Sequence, residues 1–511
     1  MKDNGRLVTA ISLLLMIGVW LAPARPARAD GNLKRVKHII VMMQENHSFD
    51  NYLGVLPYVG GPYHPPVGQS CGASDHKCVD GLTCRFDAHN NLQCMNNNID
   101  DDGSTVLSFH ETKFCTGPDL DHEWPGSHRE ANLNHPTETI LSSPNDGFVV
   151  QNDTTEQIDN GVESPTDDDT MGYYNQDDLP FYYKLAQTFS MDDRYFSSLL
   201  GPTFSNRCYS YAATSFGHLD AHESIIFPGY KPITGTILDL LDEHHVKWAN
   251  YYSDVPVSFS FRSLSPNALP IQNFVEDAKR GKLPEVSFVD PNFGILSAAK
   301  STDEHPPANI RAGEFFISQM VRAVRNGPDW KDSVIFITYD EAGGFYDHVA
   351  PPRVQQGGKP NPDGINPGQC ADLSAPPESE APGEGANCEL SQGRAKSLCS
   401  SFTPTGPYPR NCPNFDQYGF RVPFIAVSPF SKPQYVSHTV GDHTAILAFI
   451  EKRFFNGKHT HLTLRDQNAS TLEDMFDFKK APSLNATIPQ AKAPGKDPGC
   501  PFPKPPKIDF P

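Results

Sequence analysis

VKHIIVMMQENHSFDNYLG, residues 36–54, decides the fold. An apolar, β-branched run from His38 to Met43 empties into a polar cluster, Glu45-Asn46-His47-Ser48-Phe49-Asp50. That is the profile of a buried parallel strand that delivers polar groups into a cleft at its C-terminal end. In open α/β sheets that end of the strands is where ligands bind. Glu45, Asn46 and Asp50 offer hard oxygen donors of the kind a divalent metal takes. A strand followed by an ordinary solvated turn is the plainer alternative, and the rest of the chain weighs against it.

Further strand-like runs occur at Val246–Tyr251, Glu285–Val289, Ser333–Tyr339 and Val422–Val427. Helix-period segments lie between them, at Leu179–Phe189, Asn206–Phe216, Thr236–His245, Glu314–Arg325 and His443–Phe455. The alternation predicts an α/β fold, a mainly parallel central sheet flanked by helices. Two stretches rich in Pro, Gly and Cys interrupt it, near 57–165 and 351–413, and read as long insertions pinned by disulfides. One catalytic domain over 30–480 with these insertions is the simplest organisation, followed by a Pro-rich tail at 481–511.

Residues 1–29 read as a signal peptide. Lys2 and Arg6 precede an apolar Ala10–Leu21, and Ala27-Arg28-Ala29 supplies a cleavage pattern. The expected product is exported, periplasmic or secreted, with no integral membrane segment left after cleavage. A net charge of −19 argues against nucleic acid as a partner. The eleven cysteines suit an oxidising compartment, and none of the clusters has the paired spacing of a zinc site.

Two more motifs carry chemistry. Gly201-Pro202-Thr203-Phe204-Ser205-Asn206-Arg207 stands ahead of a helix, where free N–H groups can hold a phosphate. Thr203 is there a helix cap or, beside a metal, a nucleophile. In SVIFITYDEAGGFYDH, residues 333–348, a strand ends in the adjacent carboxylates Asp340 and Glu341, which repel unless a cation or a shared proton compensates. His122, in DHEW, and His305, in DEHPP, are candidates to contact a phosphoryl oxygen or protonate a leaving group. Asp442-His443 reads as a structural helix start.

Taken in order, HIIVMMQENHSFDNYLG, DLDHEW, NDGFV, GPTFSNR, DEHPP, TYDEAGGFYDHVAPP and VPFIAVSPF resemble the bacterial phosphoesterase family that includes phosphatidylcholine-type phospholipases C and respiratory-burst-inhibiting acid phosphatases. The resemblance implies an alkaline-phosphatase-like α/β fold. It implies metal ligation by Glu45, Asn46, Asp340 and Glu341 together with Thr203, which stands where the family has its nucleophile. His122 and His305 match histidines that contact the phosphoryl or leaving group. His47 departs from the commoner Arg of ENRSFD, and Ala342 stands where an Asn is frequent.

The expected activity is metal-dependent hydrolysis of phosphate esters, foremost a phospholipase C acting on phospholipid head groups. A broad acid phosphatase acting on small monoesters is the second reading, and a non-catalytic surface binding protein on the same fold the third. The metal is a divalent ion, with Ca, Mg, Mn and Zn all open. Oligomeric state and disulfide connectivity are not legible in the chain.

Overall fold

The computed structural model describes residues 30–115, 119–138, 144–159, 167–220, 230–261, 265–296, 300–355, 357–359, 361–371 and 385–494. The expected signal at 1–29 and the end of the Pro-rich tail lie outside them.

Eight strands form the central sheet: β1 (His38–Gln44), β2 (Ser190–Asp192), β3 (Trp248–Tyr252), β4 (Ala268–Pro270), β5 (Val286–Asp290), β6 (Ser333–Tyr339), β7 (Phe424–Val427) and β8 (Tyr435–Ser437). Their spatial order is β4-β3-β5-β1-β6-β7-β2-β8. The five from β4 to β6 are mutually parallel. Strand β7 runs antiparallel to both β6 and β2, and β8 is parallel to β2. The sheet is therefore mainly parallel, as the strand–helix alternation predicts. Every residue of β6 and β7 is buried, so both faces are covered, and the unbroken apolar runs at these positions follow from that.

The helices are α1 (Phe49–Leu53), α2 (Trp124–Ala131), α3 (Phe148–Asp159), α4 (Pro180–Ala186), α5 (Thr203–Ala212), α6 (Ile237–Glu243), α7 (Ile271–Arg280), α8 (Ile310–Asn326), α9 (Gly385–Leu398), α10 (His443–Phe454) and α11 (Leu464–Asn468). Helices α4, α7 and α8 form one packed group, and α5, α6, α10 and α11 another. The three-residue strands β2, β4 and β8 escape the sequence reading because so short a segment carries no periodicity.

Both insertions are stapled. Cys71–Cys78 and Cys84–Cys94 close the first, the latter across a small antiparallel ladder, and Cys370–Cys388 and Cys399–Cys412 close the second around α9. No helix among the described residues is long and apolar enough to cross a membrane. Beyond residue 480 the described chain has no regular element, but Ala486, Ile488 and Ala491 pack on the core.

Candidate active site

Strand register fixes the centre of the site. Gln44 pairs with Tyr339 across β1 and β6, so the next residues, Glu45 and Asp340, leave the sheet side by side. The Asp340 N–H extends the ladder by one bond, donating to the Gln44 carbonyl at 3.2 Å. Asn46 then takes a left-handed φ of 61°, which Asn tolerates, and this ends the strand. Ser48 caps α1 by accepting from the Asn51 N–H. Gly343, at φ +64°, backs directly onto Asn46, where a Cβ would fall 2.4 Å from the Asn46 carbonyl oxygen. Only glycine fits that approach. The Gly343 N–H donates to Glu341 Oε2 at 2.5 Å and so orients Glu341.

Thr203 is the first residue of α5 and is buried, with Pro202 in extended conformation ahead of it. The turn before the helix is pinned by Asn206. Its side chain accepts from the N–H groups of Ser198 and Leu199, at 2.8 and 3.1 Å, and donates to the Gly201 carbonyl at 2.7 Å. One helical turn past Thr203, on the same face, stands Arg207. It is buried, with Nη2 3.1 Å from Glu45 Oε1 and Nε 3.1 Å from Asp340 Oδ2. It also donates weakly to the Met43 and Gln44 carbonyls, at 3.4 and 3.3 Å. Arg207 therefore ties the start of α5 to the ends of β1 and β6.

The histidines arrive from two loops. His122 comes from the first insertion, its Nδ1 held 2.8 Å from the Leu120 carbonyl and its Nε2 3.8 Å from Glu341 Oε1. His305 follows Asp303, whose carbonyl accepts from the Glu45 N–H at 2.8 Å. The two imidazoles meet edge to face at 5.7 Å, and Asp119 lies 3.8 Å from one and 3.9 Å from the other. Burial opposes charge on His122, but the carboxylates of Glu341 and Asp119 outweigh it and hold its pKa well above the usual range. His305 is likewise opposed by burial and lifted by Asp119 and Glu45, to about 9. Burial pushes Glu45 up to about 8 against the pull of Arg207, and Glu341 up to about 8 with help from Asp340.

Arg207 thus links Glu45 to Asp340, His122 reaches Glu341 and meets His305 over Asp119, Asn46 sits against Gly343, and Thr203 stands one turn from Arg207. Asp50 does not join them. Helix α1 carries it into a separate buried cluster, 3.0 Å from Arg421 and 2.6 Å from His348 Nδ1, beside Asp347. There the Arg421 guanidinium already supplies the cation. His47 is also internal, stacked between Tyr52 and Phe345 and bonded to Asn51 and the Glu304 carbonyl. Burial drops its pKa to about 3, so it is neutral. His443 reaches the Asp340 carbonyl at 2.6 Å and Asp442 caps α10, so this pair is structural. Arg207 and Asp119 received no role from the sequence. Each stands in a quoted motif, and Arg207 is legible in retrospect as the cation one helical turn after Thr203.

The donor set suits a divalent ion. Both side-chain polar atoms of Asn46 and Oε1 of Glu341 are buried and make no hydrogen bond among the described residues. Glu45 Oε1 is near Arg207 but not aligned for a bond. Such groups are costly unless something compensates them. Arg207 answers for Asp340 and part of Glu45, whereas Asn46 Oδ1 has no donor and Glu341 Oε1 has only the His122 imidazole at 3.8 Å, which leaves both oxygens open to a cation. Asp119, His122 and His305 also bring ligand atoms within 4.8 Å of one another.

The sequence pattern of the phosphoesterase family matches residues 36–455. The chain belongs to that family. Non-specific phospholipase C1 of Arabidopsis thaliana is 28% identical over 473 residues, 89% of this chain and 74% of the plant protein. Phospholipase C B of Mycobacterium tuberculosis is 28% identical over 513 residues, 92% and 84% of the two chains. Among solved structures, a Vibrio parahaemolyticus protein in the alkaline phosphatase superfamily superposes with a TM-score of 0.29 at 10% identity, over 57% of this chain and 64% of that one. The phosphoesterase described here is a hydrolase acting on phosphate esters.

Proposed function

We propose that this phosphoesterase is an exported, divalent-metal-dependent phospholipase C that cleaves phospholipid head-group phosphodiesters with Thr203 as nucleophile. What supports the reading is a helix N-terminus bearing Thr203, tied one turn on through Arg207 to Glu45 and Asp340, with Asn46 and Glu341 beside them and the facing histidines His122 and His305, whose charged form the neighbouring carboxylates favour. The names of the plant and mycobacterial relatives support the diester as substrate. The net charge of −19 requires the positive charge for a phosphate to be supplied locally. Export is supported by the signal-like residues 1–29 and by the four disulfides among the described residues, since disulfides persist in oxidising compartments.

Glu45, Asn46, Asp340 and Glu341, with Thr203, would hold the ion, which supplies charge against the phosphoryl oxygens and eases ionisation of the Thr203 hydroxyl. The chain does the rest. Free N–H groups in the first turn of α5 bind the phosphoryl oxygens and stabilise their growing charge. Thr203 Oγ attacks phosphorus in line, forming a Thr–O–P bond as the bond to the lipid alcohol breaks. His122 or His305, both held protonated by neighbouring carboxylates, gives its proton to the departing alcohol. Water then cleaves the Thr–O–P bond, releasing the phosphorylated head group and restoring Thr203. Arg207 holds Glu45 and Asp340 in place without touching substrate.

The test compares a choline phosphodiester with an aryl phosphate monoester, with and without chelator, for wild type and Thr203→Ala. Diester cleavage is expected to need the metal and to fall at least about 10³-fold in the variant. Substantial remaining turnover removes Thr203 as nucleophile, and cleavage of the monoester alone makes the protein an acid phosphatase.

A further inference from the structure

We propose that Glu451, His461 and Asp466 form a second, structural metal site that takes a zinc ion and clamps the segment 457–466 onto α10. Glu451 lies near the C-terminal end of α10 and is 2% exposed, and Asp466, in α11, is fully buried. His461 Nδ1 is 2.7 Å from Glu451 Oε2. Ligand atoms of all three residues lie within 4.8 Å of one another. They line a cavity of about 400 Å³ that Asn456, Thr460 and Thr471 also border.

An orphaned oxygen points to a ligand there. Glu451 Oε1 is buried, receives no N–H or O–H among the described residues, stands against the Asp466 carboxyl, and belongs to a side chain that lines the cavity. Asp466 is placed by its backbone contacts, accepting from the N–H groups of Leu462 and Thr463 at 2.7 and 2.8 Å. Two facing buried carboxyls, Glu451 and Asp466, cannot both ionise unless a cation or a shared proton compensates. Lys452 borders the same cavity, but it is paired with Glu473. The negative end of the α10 dipole adds to the field that favours a cation.

One imidazole with two carboxylates is a zinc donor set, whereas calcium and magnesium prefer oxygen throughout. His461, with 36% of its side chain exposed, gives the ion a route from solvent. The site is not the reaction centre. From His443, which touches the Asp340 carbonyl, to Glu451 is about 12 Å along the helix axis. The ion would instead brace the helix on which His443 is carried.

Zinc counting on the full-length protein tests this. Chelator-stripped wild type, His461→Ala, Glu451→Gln and Glu341→Gln are dialysed against Zn²⁺, and bound zinc and Tm are measured. His461→Ala and Glu451→Gln are each expected to bind one zinc fewer per chain than wild type and to show a smaller zinc-dependent rise in Tm, while still hydrolysing phosphate esters. Retained hydrolysis shows that they are folded. Glu341→Gln reads the strand-end site separately, so failure there leaves the second site standing. Zinc uptake and Tm response equal to wild type in both His461→Ala and Glu451→Gln would show a proton-sharing acid pair and overturn the proposal. A calcium-dependent Tm rise that His461→Ala abolishes would overturn the zinc assignment.

Discussion

Replacing Arg207 with methionine keeps the side chain's bulk and removes its charge. Among the described residues it is the cation that contacts both Glu45 and Asp340, each at 3.1 Å. Breaking a buried ion pair by removing one partner costs about 3–5 kcal/mol, because the other charges stay buried without compensation. Unfolding entropy near 2.1 cal/mol/K per residue gives about 1 kcal/mol/K for about 480 folded residues, so Tm should fall by about 3–5 °C. The loss should grow with rising pH. Glu45 is pushed up to about 8 even beside Arg207, and without the guanidinium its ionisation becomes costlier still. Added divalent metal should raise Tm more in Arg207→Met than in wild type, since the buried carboxylates, no longer paired with a guanidinium, attract it more strongly. Hydrolysis should fall, because the strand-end carboxylates lose the group that holds their spacing. Scanning calorimetry in chelator from pH 6 to 9, repeated with metal, reads each of these. A Tm within about 1 °C of wild type at every pH would refute Arg207 as the clamp.

Other outcomes follow from the same geometry. His122→Gln and His305→Gln should slow release of a poor alkoxide leaving group by about 10²–10⁴-fold for whichever residue is the acid, and hardly affect a nitrophenolate. Equal losses on both substrates would remove both residues from that role. Gly343→Ala should impair metal uptake and hydrolysis together, because a Cβ there falls 2.4 Å from the Asn46 carbonyl oxygen at a φ of +64°; wild-type metal stoichiometry would contradict this. His348 offers a pH signature away from the site. Burial opposes its charge, but Asp50 wins and lifts its pKa from 6.5 to about 9. Its contribution, about 3 kcal/mol, is complete below pH 6.5 and disappears as pH rises through 9. Tm of wild type should therefore fall across that window, and His348→Gln should flatten the fall.

The long central strands are legible because burial on both faces writes itself as continuous apolar runs. β6 is read with its observed limits and β1 to within a residue at each end. The antiparallel direction of β7 is not written there, since a strand buried on both sides looks alike in either orientation. The site divides along the same line. Residues that follow a strand end at fixed register, Glu45 with Asp340, are placed by the sheet itself. Residues placed by tertiary closure are not. Asp50 and His47 sit in the same motif as Glu45, yet one pairs with Arg421 and the other is sealed between aromatic rings.

Arg207 shows why motif and role come apart. In the sequence, adjacent Asp340 and Glu341 ask for a cation, and a metal is the economical answer. The structure supplies a guanidinium to Asp340 from a helix 133 residues away in the chain. It leaves Asn46 Oδ1 and Glu341 Oε1 without a hydrogen bond among the described residues, the latter with only the His122 imidazole 3.8 Å away. The demand for an ion therefore narrows from a pair of carboxylates to those specific atoms. The helix that brings Arg207 also carries Thr203 at its first position. One segment thus fixes the strand-end carboxylates and presents the hydroxyl, so a shift of α5 would move the proposed nucleophile and the proposed ligands together. Arg207→Met and Thr203→Ala separate the two effects. The first should disturb stability in chelator, metal response and rate, whereas the second should disturb rate and metal response and leave stability in chelator unchanged.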